Sequence, residues 1–526
     1  MARFSDSSNT QARTPRQVNV KANCPVRVVK NAAGGNAFAQ SDKLALVSLM
    51  LSNMLSGDMY SSDANVLSRL KDLVHKVDPE FAAKAALYAR NEFGMRSTSH
   101  VLAGELATAN ATSGKPWARD FYNAVIYRVD DMMEILGYYL AANKDKPLPN
   151  ALKAGLAEAF KRFDAYQLAK YKGDGRAVKL VDVVRLVRPK PTAKNADALA
   201  KLLKGELKNT QTWEAKISAA GQQKDAAEKA SARNEAWADL LKENKLGYLA
   251  LVRNLTNIAQ DADDATFDLA MNALVNREQI KQSKIFPFQI YTAYREVESN
   301  GRIGNGKSNR IATIMDRLAQ ALDLSCDNVP EMPGKTLVAI DISGSMDSMV
   351  ANMNSTNCVT LATLFGVILA KANNADVVRF QTSAEYTPVL KSRSTLDTVK
   401  MLAHTSGGTS FESIFKLING KKYDRIFILS DMQAWIQSDW SPKTTFQRYK
   451  ASAGADPYIY SFDLKGHGTM QFPEAGEKVV ALAGFSEKVF DLIKNSEMDK
   501  NALISAIEAY PIQVVRKNKT KEKVED

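Results

Sequence analysis

From Asp42 to about Leu324, apolar residues recur at three- and four-residue spacing in one segment after another. D-K-L-A-L-V-S-L-M-L-S-N-M-L, A-N-V-L-S-R-L-K-D-L-V and E-F-A-A-K-A-A-L-Y-A-R come first, separated by breaks rich in Gly, Pro or Asp. Strand-like alternation is not sustained anywhere in this stretch. Short amphipathic helices cannot each bury a face alone, so the pattern predicts helices stacked as an α-solenoid. The repeat is irregular, with no fixed period of the tetratricopeptide or ankyrin type.

The stretch N-V-P-E-M-P-G, 328–334, ends that pattern, and strands then alternate with helices. K-T-L-V-A-I-D, A-D-V-V-R-F-Q, D-R-I-F-I-L-S-D, P-Y-I-Y-S-F-D and K-V-V-A-L-A have strand length, and N-C-V-T-L-A-T-L-F-G-V-I-L-A-K-A between two of them is helical. This alternation predicts a largely parallel sheet covered on both faces. The expected organisation is a flexible arm over 1–40, an all-α domain over 41–330, an α/β Rossmann-like domain over 334–515, and a charged tail over 516–526. The arm is assigned on its Ser, Thr, Asn and Gly content and its lack of an apolar period.

A length of 526 residues fits more than one core. No apolar run approaches the roughly 18 residues a membrane span needs, and Arg3, Arg13 and Arg16 precede no apolar signal core. Cys24, Cys326 and Cys358 form no C-x-x-C pair, so a reducing, cytoplasmic setting without zinc or disulfides is expected. The net charge of +12 points towards a polyanion partner. Its location matters more: residues 1–333 hold 47 Lys and Arg against 37 Asp and Glu, whereas 334–526 hold 23 against 21. The surplus therefore belongs to the helical half.

Candidate chemistry sits at strand ends. The run T-L-V-A-I-D-I-S-G-S places Asp341, Ser343 and Ser345 on one loop at the carboxyl end of a strand, where open parallel sheets bind ligands. Thr409 in S-G-G-T and Asp431 in L-S-D add a hydroxyl and a carboxylate from two further loops. Hard oxygen donors of this kind suit Mg2+, or Mn2+, and do not suit zinc. The three pieces in this order resemble the metal-ion-dependent adhesion site (MIDAS) of von Willebrand factor A domains. The resemblance implies direct ligation by the serines, ligation by the threonine directly or through water, and aspartates acting mostly through water. It also implies an open position for a carboxylate from an acidic protein partner. A second motif, Gly301 to Ser308, fits G-x-x-x-x-G-K-S but follows a helical rather than a strand-like segment, so it reads as a helix–helix loop.

The basic surplus is densest over 151–200, with 11 Lys and Arg against 5 Asp and Glu. Lys170, Lys172, Arg176, Arg185, Arg188 and Lys190 could meet phosphates along one helix pair and its loop. This K-Y-K…R-P-K-P segment resembles the TROVE module of the Ro autoantigen family, which binds non-coding Y RNAs. R-S-T-S-H around Arg96 and His100, A-W-A-D-L-L-K-E-N-K-L-G-Y-L-A-L-V-R-N-L-T-N-I, and I-F-P-F-Q-I-Y-T-A-Y-R-E-V agree with it, over roughly 42–330. The resemblance implies a monomeric ring of HEAT-like helical repeats closed by the A domain. Structured RNA would lie on the basic outer surface and single-stranded RNA ends would enter the hole. Carried over to this sequence, Lys170, Lys172 and Arg176 match a basic loop, and Arg96 and His100 match an Arg and a His of a helix-turn. Arg188 stands where some relatives have histidine, which keeps phosphate binding and counts against stacking.

The expectation is thus a non-enzymatic ribonucleoprotein scaffold in RNA quality control or degradation, linked through its RNA to an exoribonuclease. A metal-dependent protein-interaction adaptor and a nucleotide hydrolase built on Gly301 to Ser308 are the alternatives.

Overall fold

The computed structural model describes residues 28–52, 63–144, 146–173, 177–207, 217, 225–283, 285, 287–301, 309–326, 329, 331–349, 356–434, 442–472, 478–482, 489, 492–493 and 501–514. The described residues from Asp42 to Ser325 are mainly helical. The helices begin with α1 (Asp42–Ser52), α2 (Asp63–Lys76), α3 (Pro79–Glu92), α4 (Ser97–Thr108), α5 (Ala118–Ala124) and α6 (Val129–Ala142). Then follow α7 (Asn150–Ala159), α8 (Ala165–Lys170), α9 (Leu180–Val187) and α10 (Ala196–Lys204), and the half closes with helices Pro287–Asn300 and Asn309–Ser325.

Local signals explain the boundaries. Before α3, the Asp78 carboxylate accepts the N–H groups of Glu80 (2.9 Å) and Phe81 (3.1 Å), and Pro79 opens the first turn without needing a donor partner. Just past its end Gly94 takes φ +68°, the left-handed stop that glycine adopts without steric cost. Neighbouring helices pack in sequence, α3 on α4, α4 on α6, α5 on α7 and α6 on α9, so each apolar face is covered by a neighbour.

The second half is a six-stranded sheet of β3 (Thr336–Asp341), β4 (Asp376–Phe380), β5 (Ala384–Tyr386), β6 (Arg425–Ser430), β7 (Tyr458–Asp463) and β9 (Val479–Leu482), in the order β5-β4-β3-β6-β7-β9. All pairs are parallel except β4 with β5. Every residue of β3 and β6 is buried, as a sheet with both faces covered requires. Helix Cys358–Asn373 lies on β3, and Gly366 permits the approach: a Cβ there would come 2.6 Å from Ile340 Cδ1.

The expected arm over residues 1–40 is corrected at its C-terminal end, where residues 28–39 are structured; residues 1–27 lie outside the described residues. β1 (Val28–Lys30) and β2 (Asn36–Ala39) form a hairpin, and β2 pairs with β8 (Thr469–Met470) of the α/β half. The hairpin gains its stability from that third strand and not from an apolar period of its own.

The helical half begins and ends against the α/β half. Ser52 Oγ donates to the Asp463 carbonyl (2.8 Å), and Tyr510 Oη donates to Glu92 (2.9 Å). At the other end Lys400 pairs with Glu298 (2.8 Å), and the Thr395 N–H donates to Asp323 (3.0 Å). Among the described residues, no helix is long and apolar enough to cross a membrane.

Candidate metal and nucleic-acid sites

β3 and β6 are neighbours, and the chain passes from β3 to one side of the sheet and from β6 to the other, so their carboxyl ends flank the point where strand order reverses. Asp341 ends β3 and Asp431 follows β6. Ser343 and Ser345 lie on the turn after β3, where the Ser343 N–H donates to Asp341 Oδ1 (2.9 Å) and the two serine Oγ atoms are 3.4 Å apart. The loop carrying Thr409 is fastened alongside: the Gly344 N–H donates to the Gly407 carbonyl (3.1 Å) and the Ser406 N–H to the Ile342 carbonyl (2.7 Å). Gly407 has φ +67°, a conformation that strains any residue with a Cβ, and a Cβ there would also displace the end of the Gln381 side chain, whose Oε1 lies 1.7 Å away. All five donors named from sequence are buried on this sheet edge.

The electrostatics favour a cation. Burial pushes the Asp341 carboxyl up from its ordinary value against hydrogen bonds from Ser430 and Ser343. Asp431 is pushed up by burial and by the charge of Asp341, with Asp463 adding to it. Among the described residues no lysine or arginine pairs with Asp341 or Asp431. Two desolvated carboxylates with hydroxyls around them and no counter-charge match the needs of a hard divalent ion. No cluster of three or more His, Cys, Asp or Glu with ligating geometry occurs among the described residues, so such an ion would depend on the hydroxyls. Two side chains escaped the sequence reading. Ser430 Oγ donates to Asp341 Oδ2 (2.5 Å), and Asp463, buried at the end of β7, adds negative charge felt by Asp431 without joining a ligand cluster. The S-D and F-D strand endings carried that signal.

The basic segment divides into exposed and engaged groups. Helix α9 buries Leu180, Val183, Val184 and Val187 and leaves Arg185 exposed. It stops at Arg188, which takes φ +50° and donates its N–H to the Val184 carbonyl (2.9 Å). That conformation costs a non-glycine residue roughly 1–2 kcal/mol. Arg188 and Lys190 are exposed beyond it. Lys170 is half-buried at the end of α8 with its Nζ 5.8 Å from the Tyr171 ring centre, and Lys172 donates to the Leu207 carbonyl (3.0 Å). Arg176 lies outside the described residues, as do residues 302–308 of the P-loop-like motif; the segment before that motif is helix Pro287–Asn300.

Arg96 and His100, matched to RNA-binding positions through the family resemblance, both face a buried carboxylate. Asp131 has Arg96 Nε at 2.8 Å, His100 Nε2 at 3.0 Å and Arg90 Nη2 at 3.1 Å, and it accepts the N–H groups of Tyr127 (2.9 Å) and Arg128 (2.8 Å). Burial alone would raise Asp131, but His100, Arg90 and Arg96 overcome it and hold the carboxyl well below the usual range. His100 is 6% exposed, so its structural partner is Asp131. The Arg96 side chain keeps 29% exposure. Both residues line a cleft of about 500 Å³ with Met133, Tyr138, Ala177 and Val178, which brings α4 beside the basic segment. Asp130 and Asp131 were the residues the sequence reading lacked.

Comparison with known proteins settles the family. The TROVE domain matches residues 36–235 and 206–329, and the Ro60 vWA domain matches residues 335–496. The chain belongs to the Ro family. It is similar to RNA-binding protein RO60 of Deinococcus radiodurans, with 26% identity over 365 residues, 61% of this chain and 66% of that protein. It is also similar to telomerase protein component 1 of Rattus norvegicus (33% over 144 residues, 25% of this chain) and of Mus musculus (24% over 351 residues, 49% of this chain). The matched regions span only 5% and 13% of those two long relatives. The crystal structure of the Deinococcus radiodurans RO (RSR) protein superposes with a TM-score of 0.58 at 17% identity, covering 89% of this chain and 99% of that one. The Ro-family fold, helical repeats followed by an A domain, is thereby established for this chain.

Proposed function

We propose that this Ro-family protein is a non-enzymatic RNA-binding scaffold. Its ligands are small structured non-coding RNA of the Y-RNA kind and the single-stranded ends of misfolded RNA, handled in RNA quality control or degradation with an exoribonuclease recruited through the RNA. The observation that carries this reading is the exposed cationic run Arg185, Arg188 and Lys190 at the end of α9, within the TROVE match. Long cations on a rigid helix end meet phosphates without first breaking internal pairs. Arg96 and the cleft beside it extend the same surface, while His100 serves it only by holding Asp131 in place. Crosslinking followed by sequencing of the copurifying RNA tests the reading; recovery of bulk RNA without enrichment of any small species contradicts it.

The A domain carries, in this proposal, one Mg2+ or Mn2+ ion held by Ser343, Ser345 and Thr409 with Asp341 and Asp431 behind them. Such an ion supplies charge neutralisation at the sheet edge and a point of attachment. The adaptor alternative needs an acidic partner to reach the ion, and the near-complete burial of all five donors favours a structural role over an adhesive one.

A further inference from the structure

The segment Ser430 to Ala434 faces two ways. Towards the sheet edge, Ser430 donates to Asp341, and Asp431 Oδ1 accepts the Gln433 N–H (3.1 Å). Towards the start of the chain, Gln433 Oε1 accepts the Ala32 N–H (2.8 Å), and Asn31 Nδ2 donates to the Ala434 carbonyl (2.6 Å). Gln433 Nε2 donates to the Asp431 carbonyl (3.2 Å) and to Thr469 Oγ1 (3.3 Å), and Thr469 lies opposite Ala39 in the β2–β8 pair. Gln433 is fully buried, and one planar amide therefore joins Asp431, the β1–β2 turn and β8. Met432, between them, holds φ +60°, and its N–H donates to Ser430 Oγ (2.9 Å), which leaves the segment little freedom to adjust.

We propose that Gln433 is a positioning residue through which docking of the N-terminal hairpin and ion binding at Asp431 favour one another. The inference rests on the metal reading of the five donors. If the hairpin lifts, Gln433 Oε1 becomes a buried acceptor without its donor, and the amide must turn or the segment must shift. Either movement disturbs the backbone N–H that fixes Asp431 Oδ1. Conversely, an ion that fixes Asp431 fixes Gln433 in the position where it accepts the Ala32 N–H. Coupling between two binding events is reciprocal, so each must strengthen the other by the same factor.

The experiment uses the full chain and magnesium alone. The magnesium dissociation constant is measured by calorimetry for the unaltered protein, Gln433→Ala and Asn31→Ala; Asn31 lies in the hairpin and touches none of the five donors. Each variant is expected to weaken magnesium binding roughly three- to tenfold, as loss of one or two neutral hydrogen bonds implies. In the unaltered protein, magnesium is expected to slow hydrogen exchange of the Ala32 N–H. That readout needs no variant to fold, and a merely structural glutamine would leave it unmoved. Magnesium binding of equal strength in all three proteins, with unchanged Ala32 exchange, overturns the coupling and leaves the metal reading standing. No magnesium binding in the unaltered protein overturns both.

Discussion

The Ser430 hydroxyl donates to Asp341 Oδ2 at 2.5 Å, across 89 positions of sequence and from the end of one strand to the end of its neighbour. The bond links the two carboxylate-bearing strand ends at the point where the sheet reverses its order. A serine there orients Asp341 without adding charge, so the unbalanced negative charge of the buried pair is left for a cation.

Asp341→Ala combined with Thr409→Ala should abolish stabilisation by magnesium while the protein still folds. An ion that binds only the folded state stabilises it by about 2.7 kcal/mol at a hundredfold excess over its dissociation constant. Thermal unfolding with and without magnesium measures this. An unchanged magnesium response in the double variant refutes the site.

Gly407→Ala should damage the same site by geometry alone. Its φ of +67° strains any residue with a Cβ, and a methyl group there would push the end of the Gln381 side chain aside. A cost of about 1–3 kcal/mol in stability is expected from the forced backbone change, together with a weakened magnesium response, since the Gly344 N–H to Gly407 carbonyl bond holds the Thr409 loop in place.

Asp131→Asn should be costly and should change the acid limb of the stability curve. The folded-state carboxyl lies below its unfolded value, so its contribution is fully present above about pH 4 and is lost as pH falls below that. Removing one partner from a buried ion cluster costs about 3–5 kcal/mol at neutral pH. Denaturant unfolding from pH 3 to pH 7 should show a flatter pH dependence for Asp131→Asn; parallel curves would mean that the Arg90, Arg96 and His100 contacts contribute nothing.

Arg310→Met should destabilise the helical half. The Arg310 guanidinium is buried and donates to the carbonyls of Ala259 (2.7 Å) and Ala262 (2.9 Å), closing the end of helix Leu255–Asp261. Loss of the guanidinium removes two charge-assisted hydrogen bonds to these carbonyls, at about 2–4 kcal/mol. Denaturant midpoints measure the loss; a shift within error would show that water replaces the guanidinium.

The sequence disclosed the helical repeat and the strand-end donors because both are short-range signals: a three-to-four spacing, and a carboxylate or hydroxyl directly after an apolar run. Strand order is a different matter. That β3 neighbours β6, so that Ser430 reaches Asp341, depends on contacts 89 positions apart, and no local pattern encodes them. The hairpin Val28–Ala39 was illegible because its strands are short and its sheet partner is Thr469–Met470, at the far end of the chain. The pairing of Arg96 and His100 with Asp131 was not legible, since that acceptor is more than thirty positions away. Arg188 was legible as a charge, but its left-handed placement at the end of α9 was not.

The most direct test of the account is the salt dependence of RNA affinity. Arg185, Arg188 and Lys190 are replaced together by Ala, and the control replaces Lys391, Lys421 and Lys422, which are exposed on the A domain. Arg425 is unsuited to a control because it is buried and donates to the Pro333 carbonyl. Affinity for the copurified RNA is measured by fluorescence anisotropy across a potassium chloride series. Removing a cation that neutralises one phosphate should flatten the slope of log affinity against log salt by roughly 0.7–0.9, so the α9 variant should have a slope shallower by about 2–3. The control should keep the slope of the unaltered protein. Equal flattening in both variants would mean that only net charge matters, and would contradict an RNA surface on the TROVE half.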